Sequence, residues 1–300
     1  MLSVIVPFHN EAESLKVLYP KLIRVAERMR KPYEVIFVDD GSTDESISKL
    51  QSKNQKEQIK IIAHRKRLGK GRALLSGFQA SKGDVLVFMD ADLQDDPEDI
   101  PVFLSAIEKG YDLINGWRKE RVDPLHKTVP SFILNNLLLK PLLRSRYHDV
   151  NCGFKAMRRT VLEQIPLYGD NYRFIPILAE KEGFKTSEVP VKHKPRKYGR
   201  SKYGVLRLFS GFFDTVTTYF IFRFSEKPLH FFGPVGLIIF LVGFGISLYL
   251  TIERLFFGVL LFRRPALLLG VLLIIVGIQI VMTGVIGELL VYLSKKQQGA

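Results

Sequence analysis

"VLVFMDADLQDDPEDIP" occupies residues 85–101, and the order of its residue types decides the fold. Gly83–Asp90 is an almost uninterrupted apolar run, as expected of a strand buried on both faces. Six acids then fall within ten positions: Asp90, Asp92, Asp95, Asp96, Glu98 and Asp99. Asp96 precedes Pro97, which suits the first position of a helix, so Asp96 is read as the cap. Glu98 and Asp99 then complement the helix dipole over a helix spanning 97–109. Asp95 is read as a surface residue.

The same succession of strand, polar turn and helix repeats upstream. "LSVIVPF" (2–8), "YEVIFVDD" (33–40) and "IKIIAH" (59–64) read as strands. They are followed by helices over 12–30, 43–55 and near 71–81, the first with Leu15, Leu18, Leu22, Val25 and Met29 at helical spacing. Alternation of this kind implies an α/β domain with a mostly parallel sheet covered on both faces. Ligands of such sheets sit at the carboxyl ends of the strands, which is where His9–Glu11, Asp39–Asp40 and Asp90–Asp92 fall. Downstream, 111–117, 151–157 and 186–194 read as extended and 129–143 and 173–182 as helical.

Residues two apart on an extended chain point the same way, so Asp90, Asp92 and Gln94 are expected to share a face. Two carboxylates and an amide oxygen form a hard-oxygen set suited to Mg²⁺ or Mn²⁺, an ion that usually also holds phosphate. In "VDDGSTDES", Ser42 and Glu45 have the spacing of a capping box. That leaves Asp39 or Asp40 to accept hydrogen bonds from a ribose or a base. His193 reads as a strand or surface residue. "LGKGRALLSG" (68–77) is glycine-rich, but neither G-x-G-x-x-G nor the P-loop pattern is present.

The last third changes character. Phe231–Ile252 and Pro265–Gly287 are uncharged and long enough to cross a bilayer. Before them, Val205, Leu208, Phe209, Phe212, Phe213, Val216, Tyr219 and Phe220 line one side of an expected amphipathic interface helix. The reading is therefore a soluble domain over 1–204, a juxtamembrane helix over 205–228 and a membrane domain with two spans over 229–300. The chain carries a net charge of +14; its first 230 residues hold 39 Lys and Arg against 28 Asp and Glu, a net +11. Such an excess beside a membrane suits anionic headgroups or anionic substrates. Nucleic acid is not expected, since neither zinc-finger spacing nor an RNA-recognition signature occurs. One cysteine, Cys152, excludes an intrachain disulfide and fits a reducing compartment. No basic segment precedes the first apolar run, so the soluble domain and both termini are expected in the cytosol; "LSKKQQ" after the second span agrees and Arg254, Arg263 and Arg264 disagree. Gly243, Gly245, Gly277 and Gly284 permit close helix packing and so a homo-oligomer.

"VIVPFHNE", "VDDGSTD", "DADLQDDP", "GWRKER", "CGFKAMRR" and "PRKYGRSKYG" occur in this order. Together they resemble a family 2 glycosyltransferase of the GT-A fold, over residues 1 to about 205. The similarity is to the polyprenyl-phosphate branch: dolichol-phosphate mannose synthases and bacterial enzymes that load a sugar on undecaprenyl phosphate. The resemblance implies a nucleotide sugar and a polyprenyl phosphate as partners, membrane attachment and inverting transfer. It implies nucleotide contacts at Pro7, His9 and Glu11, with His9 where the family often has an aromatic ring, and nucleoside contacts at Val38 and Asp40. It places Asp90 and Asp92 at the metal, with Ala91 between them and Gln94 as a further ligand. Arg118 matches a phosphate-binding arginine, and Arg196 and Lys202 match a loop that closes over the donor diphosphate.

Chemistry agrees with those roles. Charge builds on the departing diphosphate, so Asp92 through its metal, Arg118 and Lys202 are the expected catalytic set. A phosphate monoester acceptor is already anionic, so it needs no dedicated base. Arg121 and Lys127 are candidates for holding that phosphate. GDP-mannose and UDP-hexoses remain open as donors. Two other readings stay open: a processive synthase of the same fold, and a non-catalytic scaffold that binds nucleotide sugar.

Overall fold

The structure is a computed structural model. It describes every residue except 54–56, 120–145, 166, 168, 170, 195–216, 218, 219, 221–223, 225, 226, 259–264, 299 and 300, and except the side chains of 52, 53, 295 and 298. Two compact units emerge, Met1–Thr218 and Tyr219–Ala300.

The first unit is built on a seven-stranded sheet: β1 (Leu2–Phe8), β2 (Tyr33–Asp39), β3 (Ile59–Ala63), β4 (Val85–Phe88), β5 (Leu113–Trp117), β6 (Lys155–Arg158) and β7 (Thr186–Pro190). Their order is β3-β2-β1-β4-β6-β5-β7, and only β6 runs antiparallel to its neighbours. The mostly parallel sheet expected from the alternating pattern is therefore present. Every residue of β1 is buried, because helices cover both faces. Val4 and Val6 point to the face covered by α1 (Ala12–Arg28), α2 (Ser46–Lys53) and α4 (Ile100–Glu108), packing with Leu18, Leu22, Leu50 and Phe103. Ile5 points to the other, beneath α3 (Lys70–Ala80), α5 (Arg159–Gln164) and α6 (Ile175–Lys181), with Ala73, Val161 and Ile175. This is the period-two alternation of a pleated strand with an apolar layer on each side.

Register places the ends of the strands together. Pro7 pairs with Val38, Asp39 with Ala63, Ile5 with Phe88, and Phe88 with Lys155. The carboxyl ends of β1 to β5 and the amino end of β6 thus open on one edge of the sheet.

Several local expectations need correction. The strand ends at Phe88, and Leu93 takes a left-handed φ of 64°, so extended geometry does not carry Asp90, Asp92 and Gln94 onto one face. The chain turns there instead. Ser42 and Glu45 do not form a capping box. Ser42 donates its backbone N–H and hydroxyl to Asp39, and its oxygen accepts the Asn10 N–H at 2.8 Å. Asp44 serves α2 instead, accepting the Ser46 N–H at 3.0 Å. The helix expected over 97–109 begins as a 3₁₀ turn, Pro97–Asp99, capped by Asp96 as anticipated. The expected helix at 129–143 lies outside the described residues, as does most of the expected interface helix at 205–228.

Among its described residues the second unit has two helices, α7 (Leu229–Phe257) and α8 (Pro265–Gln298), that are long and apolar enough to cross a membrane. Only 17% and 11% of their most apolar windows is buried, unlike core helices of a soluble protein. They pack on each other through small residues. A Cβ on Gly243 would stand 2.6 Å from the Gly270 carbonyl oxygen, and one on Gly277 2.6 Å from the Phe240 nitrogen. Gly284 likewise faces Phe232, while Gly245 faces open space. Three of the four glycines are thereby used within the chain. Glu288 accepts the Leu229 N–H at 3.2 Å, joining the start of α7 to α8.

Candidate active site

The loops after β1, β2 and β3 are laced into one frame. His9 Nδ1 donates to the Asp40 carbonyl at 2.9 Å, and Asn10, with a left-handed φ of 55°, exchanges hydrogen bonds with Thr43. The Glu11 N–H reaches Ser46 Oγ at 3.0 Å, and the Glu11 carboxylate accepts the Ser14 hydroxyl at 2.7 Å. The Asp40 carboxylate points inward and accepts the N–H groups of Leu68 at 2.7 Å and Gly69 at 2.9 Å, beside the His64 ring. It therefore shapes the glycine-rich turn before α3. Pro7 and Val38 are buried, so only their backbone meets the edge.

The acidic turn follows β4. Asp90, Asp92 and Gln94 are half-exposed, with Ala91 buried between the first two. Asp92 Oδ1 accepts the Gln94 N–H at 3.2 Å, which stabilises the turn at Leu93. The Gln94 amide nitrogen faces His193 Nε2 at 3.3 Å, leaving its carbonyl oxygen as the atom that suits a cation. Asp95 is not on the surface but buried. Burial, then the negative charges of Asp90 and Asp92, push its carboxyl up to about 7. Asp96 is held down to about 2: burial opposes its charge, but Lys194, Lys21 and the Glu98 N–H outweigh it.

Cations answer these acids. Lys70, the first residue of α3, forms an ion pair with Asp90 and lies 5.1 Å from the centre of the Tyr172 ring. Burial opposes the Lys70 charge, but Asp90 more than offsets it and the pKa is raised. Arg118, at the end of β5, is gripped by the buried carboxylate of Asp149, Nε to Oδ2 at 2.6 Å and Nη2 to Oδ1 at 3.1 Å. Its pKa is raised, since Asp149 outweighs the burial that opposes the charge. Beneath them Lys155 is fully buried in β6. It donates to Asn115 Oδ1 at 2.8 Å and to the carbonyls of Val150 and Cys152, and burial lowers its pKa to about 8. Asn115 in turn donates to the Asp149 carbonyl at 2.9 Å and to Glu188 at 3.1 Å.

The edge thus gathers Asp90, Asp92, Gln94 and Arg118 from the residues singled out in the sequence. Arg121, Lys127, Arg196 and Lys202 lie outside the described residues. Sequence reasoning missed Lys70, Asp95, Asp149 and Lys155; a lysine inside the apolar run "GFKAM" was the one available signal. The donor set fits a hard divalent cation. Two carboxylates and an amide oxygen stand half-exposed in one short turn at the end of β4. Among the described residues no group of three or more His, Cys, Asp or Glu is placed to hold a metal by itself. An ion here would take its remaining ligands from water and from a bound phosphate, as Mg²⁺ commonly does.

Residues 3–166 match the family model for Glycosyl transferase family 2. The chain is 32% identical over 295 residues to a dodecaprenyl-phosphate galacturonate synthase of Rhizobium johnstonii, covering 96% of this chain and 87% of that protein. It is 35% identical over 290 residues to an undecaprenyl-phosphate 4-deoxy-4-formamido-L-arabinose transferase of Photorhabdus laumondii, covering 95% and 87%. Among solved structures, mannosyl-3-phosphoglycerate synthase of Rubrobacter xylanophilus superimposes with a TM-score of 0.58 at 16% identity, covering 73% of this chain and 74% of that one. Glucosyl-3-phosphoglycerate synthase of Mycobacterium tuberculosis, in complex with Mn²⁺, UDP-glucose and phosphoglyceric acid, gives 0.54 at 18% identity, covering 73% and 78%. These likenesses identify the fold as GT-A.

Proposed function

The chain belongs to glycosyl transferase family 2, and we propose that it moves a sugar from a nucleoside diphosphate onto a polyprenyl phosphate at a membrane surface. The observation that supports this most is the reach of its relatives. Proteins named for transfer to dodecaprenyl or undecaprenyl phosphate match 95–96% of the chain, the two apolar helices included. A fold shared only through the sugar-nucleotide domain would stop before them.

In this reading an oxygen of the acceptor phosphate attacks the anomeric carbon, and the bond from that carbon to the donor's diphosphate breaks. The nucleoside diphosphate leaves from the opposite side, so the anomeric centre inverts. The acceptor is anionic at neutral pH and needs no base. Asp90, Asp92 and Gln94 would hold Mg²⁺ or Mn²⁺, which would supply Lewis acidity at the departing diphosphate. Arg118, fixed by Asp149, adds a cation beside it. The frame of His9, Glu11 and Asp40, with the strand ends at Pro7 and Val38, borders the nucleoside. Ala91 spaces the two acids, and its small side chain keeps the turn close to the sheet. Arg121 and Lys127 serve the acceptor phosphate, and Arg196 and Lys202 the donor diphosphate. The soluble domain and both chain ends face the cytosol.

The relatives' names carry galacturonate and 4-deoxy-4-formamido-L-arabinose, which widens the donors worth testing beyond GDP-mannose and UDP-hexoses. The test is a transfer assay on the full chain in detergent, with undecaprenyl or dolichyl phosphate, Mg²⁺ plus Mn²⁺, and one labelled donor per tube. Donors are the UDP-linked forms of glucose, N-acetylglucosamine, galacturonate and formamido-arabinose, and GDP-mannose. Label from one donor entering the organic phase is the expected result. Nucleotide binding with no transfer from any donor would favour a non-catalytic scaffold.

A further inference from the structure

We propose that Lys70 is a resident counter-ion of Asp90 which a divalent metal must displace, and that the released ammonium then serves the donor's diphosphate. The proposal rests on the metal reading of Asp90 and Asp92, and adds to it a coupling between metal and nucleotide.

The ammonium is boxed in. Asp90 pairs with it on one side, and the face of Tyr172 lies 5.1 Å away on another. The Gly153 backbone closes a third: a Cβ there would stand 2.6 Å from Asp90 Oδ2 and 3.0 Å from Lys70 Nζ. Register explains that wall, since Phe88 pairs with Lys155 in an antiparallel ladder and two further residues bring Asp90 level with Gly153. The start of α3 is equally fixed. Asp40 holds the N–H groups of Leu68 and Gly69, and Gly71 lies so close to the Gly169 carbonyl that a Cβ would overlap it at 1.8 Å. Lys70 therefore reaches Asp90 from a rigid base, so any displacement of the ammonium falls on its side chain.

A divalent cation bound at Asp90 would stand close to the ammonium paired with the same carboxylate, and the two repel. The metal must push Lys70 away, and the half-buried ammonium, having lost Asp90, is stabilised by another anion. The donor's diphosphate supplies one beside the first turn of α3, which contains no acid and whose N-cap Gly69 offers no side chain to its N–H groups. Metal alone should therefore bind weakly, and metal with nucleoside diphosphate strongly. By linkage, each ligand tightens the other by the same factor.

The test measures Mn²⁺ binding to the full chain in detergent, by electron paramagnetic resonance, with and without saturating UDP or GDP. It compares wild type with Lys70→Met and Lys70→Gln, and circular dichroism checks that each variant folds. Both variants are expected to bind Mn²⁺ alone at least about tenfold tighter, the order expected when a neighbouring positive charge is removed. The tightening of Mn²⁺ by nucleotide should shrink by a similar factor. Unchanged or weaker Mn²⁺ binding in folded variants overturns the proposal. Tighter binding with undiminished nucleotide coupling keeps the counter-ion role and overturns the move to the diphosphate. If neither variant folds, Lys70 is structural and the proposal fails. A wild-type protein that binds no Mn²⁺ under either condition fails at the metal reading itself.

Discussion

Arg118 and Asp149 meet fork to fork, Nε to Oδ2 at 2.6 Å and Nη2 to Oδ1 at 3.1 Å, with the carboxylate buried and the guanidinium 17% exposed. The pair aims a cation at the sheet edge and holds it there. Asp149→Asn removes the charge and one strong acceptor while keeping the shape. Breaking such a pair leaves a poorly solvated guanidinium and is expected to cost about 2–3 kcal/mol. Transfer should fall by about 10–100-fold, since a misplaced charge near a reacting centre loses that order of rate. Thermal unfolding and kcat/KM check both effects. Wild-type kcat/KM in the variant would mean that Asp149 does not position Arg118 for transfer.

The sheet was readable because its strands are buried on both faces. "VIVPF" and "VLVFM" are continuous apolar runs, and each is followed by polar residues where the sheet edge opens. The site was only half readable, because its electrostatics come from residues distant in sequence. Asp90 meets Lys70 on another element, and Arg118 meets Asp149 across 31 positions. Asp95 looks like one more acid in a surface run, yet the left-handed turn at Leu93 folds it inward. Ser42 satisfies the capping-box pattern, but its local hydrogen bonds to Asp39 and its tertiary contact with Asn10 prevail. Local propensity was overridden wherever two strand-end loops meet.

Asp92→Ala should abolish transfer while leaving the fold intact. The side chain is half-exposed, so its loss opens no large cavity. Chelation with EDTA should likewise stop turnover, and Mg²⁺ or Mn²⁺ should restore it. Transfer near the wild-type rate in the variant, or in chelator, would remove the metal assignment.

Lys155 gives stability an alkaline dependence. Burial lowers its pKa to about 8 from an ordinary 10.5. Between those values the unfolded chain binds more protons than the folded one, so stability rises with pH across that window. Below pH 8 the lysine is charged in both states, and the full penalty of burying that charge remains. Thermal unfolding in detergent should therefore show a larger gain from pH 7.5 to pH 10 in wild type than in Lys155→Met. Equal gains in the two proteins would mean that Lys155 titrates normally in the folded state.

The helix pair makes a separate prediction. A Cβ at Gly243 would stand 2.6 Å from the Gly270 carbonyl oxygen and 2.7 Å from Leu273 Cβ, whereas one at Gly245 meets nothing within 4 Å. Helices in a membrane gain stability from such close approach, because lipid competes equally for larger apolar side chains. Gly243→Leu must force the helices apart and is expected to cost about 1–3 kcal/mol, while Gly245→Leu should be close to neutral. Nucleotide binding should be unaffected in both, since neither substitution changes a residue of the first unit. Transfer to undecaprenyl phosphate should fall in Gly243→Leu alone if the pair also shapes the path of the acceptor's apolar tail. Equal stability of the two variants in detergent would show that the Gly243 seam contributes nothing to holding α7 against α8.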